Sequence, residues 1–226
     1  MTAFVGVPAV AGLIGATASL ACVGFSLADA VGGADALARA TSRCRPARTT
    51  TLAQSRSIRV YKSSRSRYAP TEVCMFSRNR PLAIDEPFGS TARAPFVLNG
   101  RYVAFITSIA EEEAGPYRFF LSVVDASRRE HHGRLARRAG GAALDPRPNE
   151  ELPDVARIAL TSRAHVAWSQ VSHGTVQILQ LDPRQPSGSR VLDQGAGVDV
   201  RSLHLCGGSH RACWTSSGQE HSTALD

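Results

Sequence analysis

Lysine is almost missing from this sequence. Lys62 is the only one, so 25 of the 26 basic residues are arginine. A surface that holds nucleic acid usually mixes the two, because a phosphate accepts either as a point charge. A nearly pure arginine bias, beside many Ala and Gly, fits a GC-rich coding sequence better. Nucleic acid is therefore disfavoured as a partner. Other absences narrow the class further. Beyond Thr49 no stretch keeps a helical period over three turns, which argues against a coiled coil or helical bundle. There is no Gly-x-Ser-x-Gly elbow and no phosphate-cradling glycine loop. No Cys-x-x-Cys or His-x-x-x-His pair occurs, so zinc-site spacing is lacking. Glu111-Glu112-Glu113 is the only acidic run, and it lacks the Asp/Asn/Gly pattern of a calcium loop.

Charge is also missing from one end. Met1–Ala28 carries no charged side chain and is apolar, small and Gly-rich. Residues 1–30 are expected to form an apolar helix, as a secretory signal or a membrane span. Two small-x-small sites, Ala28-Asp29-Ala30 and Ala34-Asp35-Ala36, suit a signal peptidase. No basic residue precedes the apolar run, whereas Arg39, Arg43, Arg45 and Arg48 follow it. For a retained span that order places the body inside the cell. An upstream start codon hiding a basic segment would resolve the conflict. Membrane contact is expected only through residues 1–28, and residues 31–48 are expected to be a linker.

Cysteine use supports export. Beyond the leader the chain has Cys44, Cys74, Cys206 and Cys213, an even number with three pairings open. Two lie near the start of the body and two near its end. His204, Cys206, His210, Cys213 and His221 form the densest set of metal-ligand types. Without metal spacing, disulfides are the expected use of the thiols, and no metal or other cofactor is expected. The adjacent His131-His132 is expected to be solvated.

The body has the texture of many short antiparallel strands: segments rich in Val, Ile, Leu, Phe, Tyr and Thr, separated by Gly, Asn, Asp, Pro and Ser. They repeat. Phe96–Phe105, Ile158–Trp168 and Leu203–Trp214 each read as strand, tight polar turn, strand, ending on a large aromatic. Ser57–Tyr61, continuing as Glu72–Phe76, is a weaker fourth copy. The anchors Tyr61, Phe105, Trp168 and Trp214 are expected to be repeat-core residues. They are spaced by 44, 63 and 46 residues, in the range of propeller blades and related arrays. The long interval contains the polar run 126–153, expected to be an inserted surface loop. VARIALT, HVAWSQV, TVQILQL and SRVLDQG form a complete four-stranded meander, the unit of a blade. The last copy has three strands, and Thr49–Leu52 could supply its fourth, closing a ring.

The segment Leu98-Asn99-Gly100-Arg101-Tyr102-Val103-Ala104-Phe105 resembles the Ser-Pro-Asp-Gly-Lys turn signature of WD40-like, TolB-type β-propeller repeats. Asn99-Gly100 keeps the turn chemistry, while Ser162-Arg163 and Gly208-Ser209 replace it elsewhere. The chain from Thr49 onward also resembles exported repeat proteins of GC-rich actinobacteria. The resemblance implies an all-β fold, a small propeller-like array of about four four-stranded antiparallel blades over residues 49–226.

Function is less legible than fold, because propellers host many activities. The expected role is a non-enzymatic binding or interaction protein, extracellular or at the cell envelope. Its partner would be an envelope protein or an anionic polymer. From Arg39 to Arg101 there are 13 basic and 3 acidic residues. Arg56, Arg59, Lys62, Arg65, Arg67, Arg78 and Arg80 form the candidate basic surface. One alternative is an envelope glycan hydrolase or lyase on a small propeller, which needs two converging carboxylates. The other is a structural domain without ligand.

Overall fold

A computed structural model describes residues 43–66, 68–85, 90–110, 117–130, 134–144, 154–181 and 188–225. The expected leader, residues 31–42 of the expected linker, Arg67, Glu111–Glu113 and His131-His132 lie outside the described residues. The body is all-β. Among the described residues no helix is long and apolar enough to cross a membrane.

Among the described residues, fifteen strands form four antiparallel sheets that follow one another along the chain. The first holds β1 (Thr49–Gln54), β2 (Ile58–Ser63), β3 (Thr71–Met75) and β4 (Arg80–Ala83). The second holds β5 (Ser90–Asn99), β6 (Tyr102–Ala110), β7 (Tyr117–Arg129) and β8 (Ala136–Leu144). The third holds β9 (Asp154–Leu160), β10 (Val166–Ser172), β11 (Thr175–Leu181) and β12 (Ser189–Gln194). The fourth has only β13 (His204–Cys206), β14 (Arg211–Ser216) and β15 (Gln219–Ala224). Each is a meander with strands in sequence order.

Strand periodicity builds the cores between sheets. Successive side chains of a strand point to opposite faces, so an inner sheet must be apolar on both. In β6, Tyr102, Ala104 and Ile106 join a cluster shared with the third sheet, while Val103 and Phe105 join one shared with the first. In β7, Leu121 and Val123 face the third sheet and Val124 the first. A third cluster, with Ala167, Ile178, Ala212 and Trp214, joins the third sheet to the fourth. Among the described residues none of the buried clusters joins the fourth sheet back to the first.

The aromatic anchors follow one rule. Each sits on the second strand of its sheet and is buried. Phe105 packs toward the first sheet, Trp168 toward the second and Trp214 toward the third. These three anchors thus face the sheet before them. Tyr61 has no sheet before it among the described residues, and Cys44, Cys74 and Phe76 cover it instead.

The repeated turns also touch. The Ser57 hydroxyl donates to the Gly100 carbonyl (3.0 Å), and the Asn99 amide donates to the Leu160 carbonyl (2.8 Å). Gly100 lies at φ +59, a left-handed conformation that costs glycine little. In the third sheet Ala164, at φ +72, takes the left-handed position, which Ser162-Arg163 alone does not signal.

Three expectations change. The run 126–153 is not wholly an inserted loop: Ala126–Arg129 ends β7, and Ala136–Leu144 is β8, the fourth strand of the second sheet. Ala136, Ala142 and Leu144 are buried there, and Gly140-Gly141 lets the backbone run beside Leu181 and Leu121. Its arginines obscured the strand because β8 is an outer strand with one wet face. Thr49–Leu52 does not complete the fourth sheet. It belongs to β1, which pairs with β2 inside the first sheet. Among the described residues there are therefore three four-stranded sheets and one three-stranded sheet, and not four of four.

Candidate functional site

The first strands of consecutive sheets run side by side: β1 beside β5, β5 beside β9, and β9 beside β13. The strands β5, β9 and β13 line a groove of about 430 Å³. Val97 and Leu98 of β5 and Ile158 of β9 supply its apolar wall. Arg157, Arg201 and His204 supply the polar one. All three are exposed. The Arg157 guanidinium donates to the Arg201 carbonyl (3.4 Å), which holds it over the groove. Among the described residues neither Arg157 nor Arg201 is in an ion pair. Two uncompensated guanidiniums beside an apolar wall suit an anionic chain whose backbone is partly apolar.

A second cleft, also about 430 Å³, opens between the first and second sheets. It contains Asp85, Glu130 and Arg138 over a floor that includes Phe105 and Val124. Asp85 is buried and accepts the Thr71 and Ala92 backbone N–H groups at 2.6 and 3.0 Å. It ties the end of β4 to β5. The other buried carboxylate, Asp125, lies within β7. It meets Arg101 (3.2 Å) and Arg128 (3.7 Å) and accepts the Ser127 N–H and hydroxyl. Both carboxylates are thus committed to local bonds that hold turns in place.

The expected basic surface does not assemble into one patch. Arg56 and Arg78 lie in turns at one end of the first sheet, with Arg80 next to them. Lys62 and Arg65 lie at the other end. Antiparallel connection sends alternate turns to opposite ends, so sequence neighbours separate. Arg59 is not on the surface at all. It is buried and donates to the Cys44 carbonyl (2.8 Å) and the Thr51 and Thr49 hydroxyls, and its guanidinium stacks over Tyr61.

The cysteines pair locally, Cys44 with Cys74 and Cys206 with Cys213. The two bonds fit a chain that folds in an oxidising compartment. Of the five metal-ligand types noted near the C-terminal end, the fold gathers three. His204 is directly opposite Cys213 in the β13–β14 ladder, and Cys206 is bonded to Cys213. His221 stacks on Trp214, on the other face of the sheet, and His210 sits in the turn. Glu220, from β15, joins the cluster instead. The β13–β14 register, with residues 207–210 as the connection, places His204 opposite Cys213. Glu220 depends on a second hairpin and Arg157–Arg201 on sheet packing, so both escape a linear reading.

Compared with known proteins, the chain matches no protein-family model and no curated protein.

Proposed function

We propose that the chain is an exported, non-enzymatic binding module, a small propeller-like array open at one side, that holds an anionic polymer of the cell envelope. The observation that carries this is the groove of β5, β9 and β13, where Arg157 and Arg201 have no ion-pair partner among the described residues. First strands of successive sheets meeting along one line is the arrangement of propeller blades about an axis, where propeller ligands gather. The apolar leader, two disulfides and the likeness of Leu98–Phe105 to WD40-like repeats support export and the propeller reading. Commitment of Asp85 and Asp125 to backbone and arginine partners favours binding over glycan hydrolysis.

The test is retention on an immobilised acidic polymer such as polyglutamate. The wild-type protein is expected to bind, and to bind less as salt rises. Arg157→Ala with Arg201→Ala should weaken binding at least tenfold, whereas Arg65→Ala should not change it. Equal binding by the double variant, or none by the wild type at low salt, overturns the assignment.

A further inference from the structure

The outer face of the fourth sheet carries a second constellation, which shares only His204 with the groove. Ligand atoms of His204, Cys213 and Glu220 all lie within 4.8 Å of one another. Three strands supply them: β13 gives His204, β14 gives Cys213 and β15 gives Glu220. Cys206 is attached to Cys213 through the disulfide, so a fourth donor is at hand. Two thiolates, an imidazole and a carboxylate are a tetrahedral zinc donor set. The imidazole is also prepared for the task. His204 Nδ1 lies 2.8 Å from the Ser202 carbonyl. Donation there leaves Nε2 as the free lone pair, the arrangement that outer partners impose on metal-bound histidines.

What withholds the site is the S–S bond, since thiolates and not disulfide sulfurs bind zinc. We propose that Cys206, Cys213, His204 and Glu220 form a redox-gated site for a thiophilic divalent cation such as Zn²⁺, closed while the disulfide stands and opened by its reduction. A dithiol reductant gives two electrons and two protons to the Cys206–Cys213 bond. The products are two protein thiols and the reductant's own disulfide. Metal binding then displaces the two thiol protons to solvent. Ligand atoms around a tetrahedral zinc stand roughly 3.5 Å apart, so the cluster must contract by about 1 Å. His204 and Glu220 are exposed and can move that far. Access differs between the two disulfides. Cys44 and Cys74 are wholly buried, whereas in the second bond Cys213 is buried but Cys206 is only half-buried, on a face where Arg211, Glu220 and Ser222 are exposed.

The experiment is a Co²⁺ titration of the intact chain before and after reduction with a phosphine, with the β-sheet circular dichroism followed throughout. Reduced protein should take one Co²⁺ and show a thiolate-to-cobalt charge-transfer band. Oxidised protein should bind at least 100-fold more weakly. His204→Ala and Glu220→Gln, both on the surface, should each weaken binding at least tenfold in the reduced state. His221→Ala, on the opposite face, should not. Equal binding by the oxidised protein overturns the gate. Undiminished binding by His204→Ala, no binding by the reduced protein, or loss of the sheet signal on reduction overturns the site.

Discussion

The two ends of the stack of sheets solve one problem in opposite ways. Each inner sheet has a neighbour on both faces, but among the described residues the first and fourth have no further sheet on one face. An array that does not close must finish those faces without exposing apolar surface. The first sheet is finished by a lid. Residues 43–48 fold across it, the Cys44–Cys74 bond pins them, and Arg59 ties the Cys44 carbonyl to β1 and β2. Beneath the lid, Tyr61, Cys44 and Cys74 are wholly buried. The fourth sheet is finished by composition. Its outer face presents His204, Arg211, Glu220 and Ser222 to solvent, with one disulfide among them. The contrast shows that a repeat can keep its internal anchor and still end, provided something other than the next repeat covers that anchor.

The contrast breaks most sharply at Tyr61. Tyr61→Ala should cost about 3–5 kcal/mol, the range for emptying a buried aromatic site. Glu220→Ala on the far face should change stability by less than about 0.5 kcal/mol. Urea denaturation of the two variants measures both. Similar losses would mean that the ends are not differently built.

The disulfides sharpen the same comparison by a smaller amount. They span sequence separations of 30 and 7 residues. Constraining the unfolded chain over such loops is worth roughly 3.5 and 2.5 kcal/mol. Replacing Cys44 and Cys74 by Ala should add the loss of the lid to the larger entropic term. Replacing Cys206 and Cys213 by Ala should cost only the smaller one. Thermal unfolding of the two double variants should therefore separate them, with the first melting lower.

Much of this architecture is legible in the residues themselves. Alternating apolar residues in 96–105, 158–168 and 203–214, each broken by a polar turn, specify hairpins locally, and a hairpin needs no distant partner to set its register. The anchors Phe105, Trp168 and Trp214 follow from the same pattern. Cys206 and Cys213 flank a short turn, which suits a local disulfide, whereas Cys44 and Cys74 are 30 residues apart and no turn along the chain joins them. The misplaced features all depend on contacts distant in sequence. The strand β8 reads as a loop because Arg137 and Arg138 mask Ala142 and Leu144, whose burial depends on the third sheet. Arg59 reads as surface because only the lid over it makes it a buried donor. The groove with Arg157 and Arg201 exists only after β5, β9 and β13 have met. Glu220 reaches His204 across three strands, a neighbourhood that no spacing along the chain encodes.

The finest test of the lidded end is the Tyr61 hydroxyl itself. It is buried and, among the described residues, makes no hydrogen bond of good geometry; Glu72 stands opposite it in the β2–β3 ladder. Burial, and then the Glu72 charge, push its ionisation well above the usual range. A raised folded value means that the folded protein keeps its proton where the unfolded chain has lost it. The resulting stability is full below about pH 10, the ordinary tyrosine value, and drains away as pH rises above it. Tyr61→Phe removes both the unpaired hydroxyl and the titration. At neutral pH the variant should match the wild type or exceed it by up to about 1 kcal/mol, since a buried unpaired hydroxyl is a cost. Above pH 10 its advantage should widen, because the wild type alone carries this slope. Denaturation at pH 7 and at pH 10.5 gives both differences. A gap that does not grow with pH would place the hydroxyl in solvent and the lid off Tyr61.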